Sequence, residues 1–139
     1  MLSALDISTS ALVAQRVNLD TIAGNIANMH ATRDADGNPN PYRRRVAMFS
    51  TGATPGNHPA PGVHISGVQE DPSAFRLVHN PGHPDAIQEG PQKGYVQMPN
   101  VDYSTEMINA IMASRAYEAN VAVMDITKSM ASATLRLIA

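Results

Sequence analysis

No cysteine occurs anywhere in this chain of 139 residues, which excludes disulfides, thiolate catalysis and zinc sites of the cysteine type. Tryptophan is also missing, and aromatic residues make up only 4% of the sequence. A large conventional core is therefore not expected, and much of the aliphatic surface has to be buried in seams between elements. Charge of neither sign prevails: a net charge of −2 gives no reason to expect nucleic acid or an anionic membrane as partner. No stretch approaches the roughly 18 consecutive apolar residues that span a bilayer, so direct membrane insertion is not expected. The first residues, Met1-Leu-Ser-Ala-Leu-Asp6, lack a basic n-region and a continuous apolar h-region, and a cleaved secretory signal is not expected either.

Proline and glycine are scarce at both ends. All ten prolines lie between Pro39 and Pro99, and eight of nine glycines between Gly37 and Gly94, leaving Gly24 alone in the flanks. The chain thus reads as helix former, turn-rich middle, helix former, with segments 1–32, 33–99 and 100–139. The expected fold class is α+β: N- and C-terminal helices paired as an antiparallel coiled coil, with a small β insertion rich in Pro and Gly between them.

What is present is heptad periodicity. In the N-terminal third Leu5, Leu12, Leu19 and Ile26 recur at sevens, with Leu2, Thr9, Arg16 and Ala23 between them and Ile22 and Met29 widening the stripe. This predicts a helix from Ser3 to Asn28, stopped where Asn25 and Asn28 tolerate turn geometry. The last forty residues carry two seams. One runs Met107, Ala110, Ser114, Tyr117, Val121, Met124, Ala131, Leu135, Ile138, broken by Lys128. The other is Met112, Ala116, Ala119, Val123, Ile126, Met130, Ala133, Leu137. At about 100° per residue the two lie on nearly opposite sides of one helix. A helix that is apolar on two sides needs two neighbours, and this chain has only one other long helix. The unfilled side belongs to other protein molecules, so both seams are candidate subunit interfaces.

In the middle, Tyr42–Phe49 reads as a strand with Tyr42, Val46 and Met48 on one side, Thr51–Gly62 as a loop, Val63–Gln69 as a strand with a bulge at Gly67, and Phe75–His79 as a third strand. Tyr95–Val101 is extended because Pro99 pushes Met98 out of helical space, and Ser104 or Thr105 is the expected cap of the long helix.

Candidate chemistry is thin. His79, His83 and Asp85 come nearest to a metal site, but Pro81, Gly82 and Pro84 forbid the helix that would put both rings on one face, so neither a metal nor another cofactor is expected. Arg43, Arg44 and Arg45 are the only basic run; edge-strand protection or a salt bridge suits them better than phosphate. No P-loop, dinucleotide fingerprint, nucleophile elbow or placed triad is present, and an enzyme is not expected. Asn120 and Lys128, inside the long helix, are candidates for reaching a neighbouring backbone and for setting register.

Two sets of residues carry a family resemblance. Asn25-Ile-Ala-Asn28, Thr32 and Tyr42-Arg43-Arg44 resemble the N-terminal signature of bacterial flagellar rod and hook axial proteins. More specific are Asn80-Pro81-Gly82-His83-Pro84-Asp85-Ala86, Gly94-Tyr-Val, Met98-Pro99-Asn100-Val-Asp102, Glu106-Met107 and Ala113-Ser-Arg115-Ala-Tyr117-Glu-Ala-Asn120-Val121, which resemble the proximal-rod members over essentially the whole chain. The resemblance implies a non-enzymatic subunit, exported unfolded by the flagellar type III apparatus without signal cleavage. It implies helical assembly in the periplasmic rod of the basal body, with the paired helices forming the tube and the insertion outside. The implied partners are other copies, other proximal and distal rod subunits, the export apparatus and the rod-to-membrane-ring junction protein. The alternative from another class is a small helical-hairpin adaptor, or export-associated binding protein, docking one partner.

Overall fold

In the computed structural model, residues 2–52 and 62–138 are described, without the side chains of residues 2, 3, 137 and 138. Two terminal helices frame two separate antiparallel strand pairs: α1 (Leu2–Ala27), β1 (Arg45–Thr51), β2 (Val63–Glu70), β3 (Arg76–His79), β4 (Tyr95–Met98) and α2 (Tyr103–Ile138). The class is α+β, and at about 1.5 Å per residue the helices measure roughly 39 and 54 Å. They run antiparallel. Asn25, near the end of α1, meets Glu106 at the start of α2, while Thr9 near the start of α1 donates to the Met124 sulfur at 3.8 Å. Most of the loop expected at Thr51–Gly62 lies outside the described residues.

The helix boundaries have local causes. α1 ends as Asn28 folds back, its Nδ2 donating to the Gly24 carbonyl at 2.8 Å. No described non-glycine residue has positive φ, so Asn25 and Asn28 do not serve as left-handed stops. α2 starts earlier than expected because Asp102 is the cap: its carboxylate accepts from the Thr105 backbone N–H at 2.9 Å and the Thr105 hydroxyl at 2.6 Å. Those bonds hold the Asp102 carboxyl below the usual carboxylate range, the Thr105 hydroxyl first.

β1 starts at Arg45 and not at Tyr42. The backbone before it is engaged elsewhere: Tyr42 N–H donates to the Ala31 carbonyl and Arg44 N–H to Asn100 Oδ1. The inward residue of β1 is Ala47, while Met48 is exposed. Pairing with β2 shifts between Met48 and Phe49, opposite Gly67 and Ile65, so Ser66 is the extra residue of a bulge beside Gly67. This hairpin packs on α1. Ser10 Oγ accepts from Val63 N–H at 3.1 Å and donates to the Ile7 carbonyl at 2.7 Å. Gly62, at φ +152°, is required there, since a Cβ would lie 2.5 Å from Ser10 Oγ. β3 and β4 form the second pair, with Val96, Ala86, Pro99 and Val101 buried around it.

Candidate assembly surface

α2 presents two unlike faces. Toward α1 it turns Glu106, Ala110, Ala113, Tyr117, Asn120, Met124, Thr127 and Ala131, alternating steps of four and three; all but the partly exposed Tyr117 are buried or half-buried. α1 contributes buried Ser8 and Ile22, with Gln15, Leu5, Leu12, Leu19 and Ile26 half-buried among them. Thr9, Arg16 and Ala23, placed on this stripe by sequence, are exposed.

Of the seam expected through Met107, Ala110, Ser114, Tyr117, Val121, Met124 and Ala131, the residues Ala110, Tyr117, Met124 and Ala131 do turn toward α1, whereas the alternate positions run one residue earlier, through Glu106, Ala113, Asn120 and Thr127. Met107, Val121 and Lys128 are exposed, so Lys128 sits outside the α1 seam. The reason is local hydrogen bonding. Asn120 Nδ2 donates to the Ala116 carbonyl and Thr127 Oγ1 to the Val123 carbonyl, both at 2.8 Å within the helix, so these polar residues enter the seam with a donor already satisfied. The Asn120 amide donor is thus spent on its own helix among the described residues.

On the other side, roughly 130° away around the helix, the apolar residues face outward. Met112 is 64% exposed, Ile126 and Met130 60% each, and Val123 48%. Ala119 and Ala133 share that exposed face and Ala116 its margin; the Leu137 side chain lies outside the described residues. The internal seam is thus small and partly polar, whereas the free face is aliphatic. That inverts the usual arrangement of a soluble helix.

Where the helix pair meets the insertion, a polar clasp is built on residues of the sequence signature. Glu106, with a fully buried side chain, accepts from Arg44 Nε at 2.8 Å and Asn25 Nδ2 at 3.0 Å. Asn25 also brackets Arg45, donating to its carbonyl at 2.8 Å and accepting its N–H at 2.9 Å, and accepts from the Tyr42 hydroxyl at 3.0 Å. Asn100 donates to the Asp71 carbonyl and to Ser73, and Arg44 reaches the Asp71 carboxylate at 3.3 Å. Burial works against the Arg44 charge, but Glu106 and Asp71 outweigh it and raise its pKa. The arginine run is thereby consumed in structure. Arg44 pairs with Glu106 and Asp71, Arg43 lies 4.3 Å over the Phe75 ring, and Arg45 lies 5.5 Å over Tyr42 and pairs with exposed Glu70 at 4.0 Å.

A second tie holds the turn-rich run to the end of α1. Asp85, its side chain 5% exposed, accepts from Arg33 Nε and the Thr32 hydroxyl, both at 2.8 Å. The Arg33 bond, with Thr32 helping, holds its carboxyl below the usual range. His83 Nδ1 accepts the Asp85 N–H at 3.1 Å, and His79 packs edge-on against Tyr95 with centroids 5.1 Å apart. Among the described residues no three His, Asp or Glu groups converge on a metal position. Pro81, Gly82 and Pro84 are exposed turn residues, and Arg115 projects from α2 into solvent.

Sequence reasoning missed Glu106 and Arg44 as a pair. The available signal was a glutamate on a seam position of the first helical turn, in a chain whose only basic run lies at the start of a strand.

Comparison with known proteins agrees with this architecture. The family described as "Flagella basal body rod protein" matches residues 5–33, covering most of α1, and "Flagellar basal body rod FlgEFG protein C-terminal" matches residues 92–137, covering β4 and α2. The flagellar basal-body rod protein FlgC of Yersinia enterocolitica is 44% identical, the match covering 99% of this chain and 97% of that protein. FlgC of Escherichia coli O157:H7 is 42% identical over the same shares, and FlgC of Borreliella burgdorferi 36%. No described helix is long and apolar enough to cross a membrane. A helical frame at both ends, a signature spent on clasping the insertion to that frame, and near full-length identity lead to one conclusion: this chain belongs to the flagellar basal-body rod protein FlgC family.

Proposed function

We propose that this chain is a non-enzymatic structural subunit of the proximal rod of the bacterial flagellar basal body. It assembles helically with its own copies and with other rod subunits through its terminal helices. Residues 1–32 and 100–139 form a coiled-coil core contributing to the drive-shaft tube, and residues 33–99 form an outer β-rich part. Reaching the periplasmic rod by type III export, without a cleaved signal, and meeting the membrane-ring junction protein there belong to the same reading, which family membership supports.

The observation that carries it is the outward aliphatic face of α2, from Met112 to Met130, more apolar than the seam the helix buries against α1. Isolated aliphatic residues on a surface need no explanation; a stripe at heptad spacing is an unfilled interface.

The test sets Ile126→Asp against Ala113→Asp. Ala113 is buried against α1, so an aspartate there loses hydration and is expected to lower monomer stability by about 2 kcal/mol or more. Ile126→Asp is expected to leave the melting curve within about 0.5 kcal/mol of the parent. Secretion should persist while incorporation into rods and swimming are lost. Normal rods and swimming with Ile126→Asp overturn the reading, and saturation of a single partner at fixed stoichiometry, with no rod, supports the adaptor instead.

A further inference from the structure

All sulfur in this chain is methionine sulfur, since cysteine is absent. Among the described residues Met112 and Met130 are the most exposed of the methionines, at 64% and 60%. They stand eighteen residues apart on α2, five whole turns at about 100° per residue, so both lie on one line of the helix roughly 27 Å apart. Exposed Val123 and Ile126 lie between them, and the two thioethers bracket the aliphatic face. The sulfur that α2 turns inward is sheltered. Met124 is half-buried in the α1 seam, where its sulfur accepts from the Thr9 hydroxyl at 3.8 Å. A peroxide in solution therefore meets the outer sulfurs before the inner one, and the outer face can change polarity while the seam that holds the monomer together stays intact.

We propose that Met112 and Met130 form a reversible oxidation site that withholds the free subunit from assembly while its outer face is oxidised. The oxidant is a hydroperoxide. A sulfur lone pair takes the terminal peroxide oxygen, the S–O bond forms as the O–O bond breaks, and the departing oxygen takes up the proton and leaves as water or an alcohol. Each sulfur loses two electrons and each peroxide gains two. The sulfoxide is polar and accepts hydrogen bonds, so burying it on an aliphatic face removes hydration that the neighbouring side chains cannot replace. A dithiol acting through the sulfoxide reductases restores the thioether, the oxygen leaving as water while the dithiol becomes a disulfide. The proposal rests on the subunit reading above and adds a chemical control of the same face.

The test has two arms. In the first, the purified full chain is treated with hydrogen peroxide and digested, and oxygen uptake at each methionine is read by mass. Met112 and Met130 are expected to gain oxygen ahead of Met124, with helical circular dichroism unchanged, and methionine sulfoxide reductases supplied with a dithiol are expected to remove it. Oxidation of Met124 at the same rate, or an oxidised chain that the reductases leave unchanged, overturns the proposal. In the second arm, cells produce Met112→Gln with Met130→Gln, a lasting polar substitute for the sulfoxide. This chain is expected to be secreted at the parent level and to enter rods about tenfold less, the effect of burying an unpaired polar group. Met112→Leu with Met130→Leu, which cannot be oxidised, is expected to enter rods like the parent. So is Met48→Gln with Met107→Gln, whose exposed methionines lie off this line. Normal entry of the Met112→Gln, Met130→Gln chain, or an equal loss with either control pair, overturns the assignment and leaves the subunit reading intact. Failure of the parent chain to enter rods overturns both.

Discussion

Replacing Glu106 with alanine removes a carboxylate that is fully buried between the helix pair and the insertion. Breaking a buried ion pair by deleting one partner costs about 3–5 kcal/mol, because the surviving charge is left stranded. Here the survivors are partly provided for. Arg44 keeps Asp71 at 3.3 Å, and its side chain is 22% exposed, so water can reach it. Asn25 keeps Tyr42 and both Arg45 backbone bonds. The expected loss is therefore near 3 kcal/mol, roughly 10 °C in melting temperature for a chain of this size. Glu106→Gln retains the shape and one acceptor and is expected to lose about 1–2 kcal/mol. Thermal and urea unfolding followed by far-UV circular dichroism measure both. Combining Glu106→Ala with Arg44→Met closes a double-mutant cycle with an expected coupling of about 1–3 kcal/mol. A Glu106→Ala protein within about 0.5 kcal/mol of the parent refutes the clasp as a stabilising element.

Acid should loosen the fold with a definite sign. The Asp85, Asp71 and Asp102 carboxyls have folded pKa values below their ordinary ones, so their contribution is present above the unfolded value near 4 and is lost as pH falls through the lower folded values. Asp85→Asn should flatten part of that dependence in melting curves between about pH 5 and pH 2, and an unchanged slope contradicts the Arg33 tie. Changing His79 and His83 to alanine together should leave rod assembly and swimming largely intact; motility lost and restored by added zinc reverses that assignment. Gly62→Ala forces a side chain into a positive-φ position against Ser10 Oγ and should cost about 1–3 kcal/mol in urea unfolding, whereas an unchanged midpoint removes the requirement for glycine there.

Composition and periodicity alone determined that two long helices bracket a turn-rich insertion, because proline and glycine are confined to the middle and heptads need no partner to be visible. They also identified an aliphatic face from Met112 to Met130, which the structure leaves exposed. They did not determine which residues of α2 face α1. Reading for apolar side chains left two seams open, one through Met107 and Val121 and one through Met112 and Val123, whereas packing placed Glu106, Ala113, Asn120 and Thr127 against α1. A polar residue enters a seam when its hydrogen bonds are met, and only the folded chain shows whether they are. The clasp was hidden for the same reason: Asn25, Arg44 and Glu106 are far apart in sequence, and nothing in their spacing shows that the end of α1, the approach to β1 and the start of α2 converge. Local pattern is a property of neighbours along the chain. The pairing of buried polar groups depends on neighbours in space, which only the tertiary fold supplies.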